Sequence, residues 1–119
     1  MGADGRRSLG AAGEEAVARH YESLGYRVVD RNWRCREGEL DLVLERHGEL
    51  VFCEVKTRSS LAFGSPVEAI TPAKQRRLRI LTARWLQEHG TKAADVRIDV
   101  AAVLRGTGGF EIEVREAVV

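Results

Sequence analysis

Asp41, Glu54 and Lys56 are the residues of this 119-residue chain whose types and spacing most directly suggest chemistry. They lie in the stretch GELDLVLERHGELVFCEVKTR, Gly38 to Arg58, which reads as two alternating strands with His47-Gly48 at the turn. Side chains alternate faces along a strand, so Leu40, Leu42 and Leu44 should share one face, and Glu39, Asp41 and Val43 the other. On the next strand Val51, Cys53 and Val55 oppose Phe52, Glu54 and Lys56. If Asp41 and Glu54 fall on the same side of the sheet, two carboxylates and an ammonium converge near the strand ends. Paired carboxylates repel and are costly to desolvate, and a divalent cation would relieve both costs. Oxygen-only ligation suits Mg²⁺ or Mn²⁺. The backbone carbonyl of Val55 could add another oxygen. The chemistry that fits is phosphodiester hydrolysis, with Lys56 orienting the attacking water and offsetting charge in the transition state. The same pattern also suits the solvated face of an amphipathic hairpin, where a Glu-Lys pair contributes little.

The flanking elements shift the balance slightly toward a site, through Glu14. Residues 1–7 read as a mobile arm, Ser8 as an N-cap, and the following helix as ending near Leu24, with Gly25 as its stop. Val17, Tyr21 and Leu24 form its apolar stripe. Glu14 falls on that stripe, whereas Glu15 shares the outer face with Ala18, Arg19 and Glu22. Glu14 is therefore the helix acid aimed at the body of the protein. Tyr26–Trp33 reads as a first strand and CREG as a loop. A further loop carries Gly64 and Pro66. Thr71 then caps a second helix, Pro72 opens it and Gly90 closes it, with Leu78, Leu81, Trp85 and Leu86 as its stripe. VRIDVAAVL and FEIEVREAV are a fourth and a fifth strand, joined by the turn RGTGG. The order helix, three strands, helix, two strands predicts a single α/β domain over 1–119, a sandwich of helices against a mixed sheet. Strands one to three should be antiparallel and strand four parallel to strand three.

Net charge is only +1 and the apolar fraction is 44%, so a real core is expected and any case for an anionic partner must rest on where the charges lie. The second helix carries Lys74, Arg76, Arg77, Arg79 and Arg84, with no acid between Lys74 and Gln87. That one-signed run suits phosphate binding. Arg6, Arg7, Arg31, Arg34, Arg36 and Arg58 could extend it, and Trp33 is placed either to pack or to stack on a base. Cys35 and Cys53 lack zinc-ligand spacing. Cys53 reads as a core residue, Cys35 as a loop thiol, and a disulfide between them as the less favoured alternative. His47 and His89 read as surface residues, and Phe52 and Trp85 as core. No stretch approaches transmembrane length and the N-terminus has no apolar leader, so the expected compartment is the cytoplasm, with no membrane partner.

The motifs GELDLV and EVKTR, with GEEA at Gly13–Ala16, GY at Gly25-Tyr26, RN at Arg31-Asn32, FG at Phe63-Gly64, Lys74 and IDV at Ile98–Val100, resemble the YraN family of small bacterial proteins. That family is similar to archaeal Holliday junction resolvases of the PD-(D/E)XK nuclease superfamily. The resemblance implies a restriction-endonuclease-like fold with Asp41, Glu54 and Lys56 as the D…ExK triad, and Glu14 as the helix acid beside the metal. Leu40 stands where the superfamily pattern has Pro. The resemblance also implies Mg²⁺- or Mn²⁺-dependent cleavage of DNA, with branched or junction DNA as the substrate to test, and a two-fold dimer. The alternative is a non-catalytic module that keeps the nuclease fold and binds nucleic acid or a partner protein.

Overall fold

The computed structural model describes residues 2–59, 70–92 and 95–118, with side chains from Leu9 onward. The loop bearing Phe63, Gly64 and Pro66 lies outside the described residues, as do the side chains of Arg6 and Arg7. Helix α1 spans Gly2–Ser23, followed by strands β1 (Arg27–Cys35), β2 (Gly38–Arg46) and β3 (Glu49–Arg58), helix α2 (Pro72–His89), and strands β4 (Asp95–Gly106) and β5 (Gly109–Arg115). This is the expected order. The start of α1 is not: the helix takes in Gly2 onward, so the expected mobile arm is helical and Ser8 is an interior residue rather than a cap.

Local chemistry explains the element ends. At the end of α1 the Tyr26 amide donates to the Tyr21 carbonyl at 3.1 Å and the Gly25 amide to Glu22 at 3.0 Å. Gly25 has φ +91°, which glycine adopts without a Cβ penalty. This is a Schellman cap, and its customary apolar contact is the edge-to-face pair Tyr21/Tyr26, 5.4 Å between centroids. Leu24 falls in the cap and is 47% exposed, so it does not complete the apolar stripe as expected. Thr71 caps α2 by accepting the Lys74 amide at 3.2 Å, Pro72 opens the helix, and Gly90 ends it in the left-handed region. The β2–β3 turn places His47 at φ 49° and Gly48 at φ 81°, the two positive values a tight hairpin needs.

The five strands lie in chain order, β1-β2-β3-β4-β5. All neighbours are antiparallel except β3 and β4, which run parallel from Glu49/Asp95 to Arg58/Leu104. The α2 crossover provides that parallel return. One helix covers each face, giving a restriction-endonuclease-like α/β sandwich. Under α1 lie Val17, Ala18, Tyr21, Leu42, Leu44, Val51, Cys53, Val55, Ala101 and Val103. Under α2 lie Leu40, Val43, Leu50, Phe52, Leu78, Leu81, Trp85, Ile98 and Val100. Phe52, Trp85 and Cys53 are core residues, as read from sequence, and both cysteines are free thiols. Among the described residues no helix is long and apolar enough to cross a membrane.

The two clusters correct one expectation. Leu40 lies on the α2 side, whereas Leu42 and Leu44 lie on the α1 side. The alternation breaks at Asp41. The β2–β3 ladder runs from Arg46/Glu49 to Leu42/Cys53, and just beyond it the Asp41 carboxylate accepts the Val55 amide at 2.7 Å. A side chain has taken a ladder carbonyl's role. Arg31 and Trp33 pair with Leu42 and Leu40 without a shift of register, so β1 and β2 change faces together here, which accounts for Leu40.

Candidate functional site

The break in β2 makes the site. Asp41 turns its carboxylate between β2 and β3, toward the layer of α1. Glu14, from α1, and Glu39, from the start of β2, reach the same place. One carboxylate oxygen from each of the three lies within 4.8 Å of the others. Each acid is held from outside the cluster. The Asn32 amide donates to Glu14 at 2.8 Å, the Arg34 guanidinium donates to Glu39 at 2.5 Å, and Asp41 is held by the Val55 amide. Burial pushes Asp41 up to about 7, Glu14 and Glu39 push the same way, and the Val55 amide only partly opposes them. Glu14 is also raised, by burial and by Glu39, with Arg31 opposing. Three half-buried acids gathered at one point, with Asp41 and Glu14 raised in proton affinity, suit a hard divalent cation taking oxygen ligands.

The second half of the expected triad lies elsewhere. Glu54 is 9% exposed, and its Oε1 is 3.2 Å from the Arg77 guanidinium and 3.7 Å from the Lys56 ammonium. Arg77 belongs to α2, so Glu54 and Lys56 occupy the α2 side of β3. The expected convergence of Asp41 with Glu54 is thus replaced by two groupings: Glu14, Glu39 and Asp41 toward α1, and Glu54, Lys56 and Arg77 toward α2. Residue 55 lies between them, with its amide committed to Asp41.

The remaining sequence candidates divide by partner. Arg34 is tied to Glu39 and Arg84 to Glu37. Arg31 pairs with Glu15, which also meets Arg19; Ala18, expected on the outer face with them, is instead fully buried in the core. Among the described residues Arg36, Arg58, Lys74, Arg76 and Arg79 make no ion pair, and Arg36, Arg76 and Arg79 are exposed. Trp33 is half-buried, with its indole N–H donated to Glu88 at 2.7 Å, so packing rather than a free stacking face describes it here. His89 stacks on Trp85 with 4.0 Å between centroids.

Residues 13–103 match the model of a family described as "Uncharacterised protein family UPF0102". The chain belongs to the UPF0102 family. It is 59% identical over 102 residues to a UPF0102 protein of Beutenbergia cavernae, with 86% of each chain covered. It is 52% identical over 103 residues to one of Clavibacter michiganensis subsp. michiganensis, with 87% of each covered. A UPF0102 protein of Frankia casuarinae is 51% identical over 107 residues, covering 89% of this chain and 91% of its own. This is the YraN family of the sequence resemblance. The matched span includes Glu14, Asp41, Glu54, Lys56 and all of α2, and stops before β5.

In this UPF0102 chain, sequence reading missed Glu39 and Asn32 at the site. Glu39 sits two residues before Asp41 and was legible as a face-mate. Asn32 carries φ 49°, a value asparagine tolerates better than most residues, but nothing in its neighbours signals that. Also missed was Asp99, which is fully buried beneath α1. It accepts the Tyr21 hydroxyl at 2.6 Å, Arg97 through two bonds of 2.9 Å each, and the Ala117 amide at 3.1 Å. The signal was an acid inside the apolar run RIDVAAV. Its four bonds explain how a buried charge is tolerated, and they fasten α1 and the C-terminal segment to β4.

Proposed function

We propose that this protein hydrolyses phosphodiester bonds of DNA in a reaction dependent on Mg²⁺ or Mn²⁺, with branched or four-way-junction DNA as the substrate class. The observation that carries the reading is the three-acid cluster at the β2–β3 break, where acids are held together against their own repulsion. A purely structural role would be served better by an amide or an apolar residue at Asp41. A divalent ion held by Asp41, Glu14 and Glu39 would polarise a phosphoryl oxygen and acidify the attacking water. Lys56, exposed near the end of β3 on the α2 side, would offset charge on a phosphate bound over the strand end rather than hold the water at the acids. Glu54 holds Lys56 and Arg77 together on the α2 side. Arg76 and Arg79, with Arg36, Arg58 and Lys74, bind the flanking phosphates. Symmetric cutting of a junction calls for a two-fold dimer.

One observation favours the second reading, a nucleic-acid-binding module without catalysis. Glu54 is neutralised by Lys56 and Arg77 and does not lie with Asp41. A single experiment separates the two. Labelled duplex, single-stranded, flap and four-way-junction DNAs are incubated with Mg²⁺ or Mn²⁺ and the wild type, Asp41→Asn or Lys56→Ala protein. Metal-dependent cutting that is lost in both variants supports hydrolysis and ranks the substrates. Equal binding by all three proteins, with no cutting, supports the module.

A further inference from the structure

Like charges should push Glu14 away from Glu39 and Asp41, so something must hold α1 down. Two features of the backbone do so. The first is Gly13, which is buried where α1 crosses the end of β3. A Cβ built on Gly13 would stand 2.9 Å from both Cβ and Cγ2 of Thr57, and closer still to its Oγ1. Every side-chain heavy atom of Thr57 lies inside the space an alanine would need. Glycine is a poor helix former, and its occurrence in mid-helix calls for a reason beyond the helix. The close approach supplies that reason: it seats the helix backbone on β3, one residue before Glu14.

The second feature is Asn32. It lies between Arg31 and Trp33, which pair with Leu42 and Leu40, so it stands across from Asp41 on the neighbouring strand. Its φ of 49° is unusual within a strand, and its amide donates to Glu14 Oε2 at 2.8 Å. The amide is neutral, so it fixes the carboxylate without supplying the charge that would compete with a cation.

We infer that Gly13, by its contact with Thr57, and Asn32, by its amide, are positioning residues that hold the Glu14 carboxylate in the acidic cluster. The inference deepens the cation-binding reading of that cluster proposed above and rests on it for its consequence. Neither residue is a ligand in this scheme. Gly13 sets how far α1 stands off the sheet, and Asn32 sets which way Glu14 turns.

The test uses the full chain and two readouts. The first is the Asn32 side-chain amide signal in ¹⁵N-resolved NMR without metal. Gly13→Ala should move it to the position of a solvated amide, and Gly13→Ala combined with Thr57→Gly, which clears the same space from the other side, should return it. The second is Mn²⁺ affinity by calorimetry. Gly13→Ala and Asn32→Ala should each weaken Mn²⁺ on the order of 10-fold or more, the usual effect of losing a group that orients a ligand, and the double variant should recover most of that loss. Far-UV circular dichroism confirms folding. If Gly13→Ala does not fold, Asn32→Ala, which adds no atoms, carries the test. An unmoved Asn32 signal in folded Gly13→Ala, or unchanged Mn²⁺ affinity in Asn32→Ala, overturns the inference. Failure of the wild type to bind Mn²⁺, with the amide signal behaving as expected, leaves the positioning intact and defeats the metal reading instead.

Discussion

Asp41 is the residue at which backbone geometry, burial and charge meet. Its folded-state proton affinity is raised, from the ordinary 3.8 up to about 7. Between those values the folded chain binds a proton that the unfolded chain releases, so stability falls as pH rises from near 4 to near 7 and is flat through this group above that. The penalty at pH 8 is on the order of 4 kcal/mol, since one pKa unit corresponds to about 1.4 kcal/mol. Asparagine at this position keeps an oxygen for the Val55 amide and carries no charge. Asp41→Asn should therefore melt above the wild type at pH 8 in EDTA and with it at pH 4. Added Mn²⁺ should raise the wild-type midpoint alone, because a ligand of the folded state stabilises by mass action. Equal melting of the two proteins at pH 8 would mean that the cluster carries no strain. Glu14 was legible in the sequence because helix periodicity survives to the end of α1. Glu39 was legible only as a face-mate of Asp41, because which layer that face meets cannot be assigned once the alternation fails at Asp41.

At the scale of elements, α2 links the two sides of the proposal. Its inner stripe of Leu78, Leu81 and Trp85 packs on the sheet, and Arg77 reaches Glu54 from the same helix. Arg76 and Arg79 are exposed and make no ion pair among the described residues. Each phosphate contact that a cation makes adds about 0.9 to the slope of log affinity against log salt. Replacing Arg76 and Arg79 with Ala should lower that slope by roughly two if each meets one phosphate, and it should weaken duplex and junction DNA alike. Titrations at several salt concentrations would show it, and an unchanged slope would move the DNA surface off this helix. The elements themselves were the most legible feature of the sequence. Thr71, Pro72 and Gly90 bound α2 because capping chemistry is local. The parallel pairing of β3 with β4 follows from the length of the crossover. The early start of α1 was hidden because Gly2 and Gly5, with Asp4, Arg6 and Arg7 around them, resemble an arm more than a helix.

At the scale of the molecule, one sheet separates two cores with different reporters. Both tryptophans belong to the α2 side, with Trp85 in the core and Trp33 packed against it. Tyr21, Tyr26 and Cys53 belong to the α1 side. The α1 side is also fastened to β4 and the C-terminal segment through Asp99. The cores share β3 and β4, whose residues alternate between them, so neither helix layer can leave without exposing one face of strands that the other layer still needs. A chain of this size with shared central strands should unfold in one cooperative step. In a Cys35→Ala background, urea titration followed by tryptophan fluorescence reports the α2 side. Labelling of Cys53 reports the α1 side, because that thiol is fully buried and burial raises its proton affinity well above that of a free cysteine, suppressing reaction while the fold persists. The two midpoints should coincide. If tryptophan emission changes at lower urea than Cys53 becomes reactive, α2 leaves first. The basic surface would then be an independently mobile layer, and the Arg77–Glu54 contact would be too weak to couple a DNA-binding helix to the acids across the sheet.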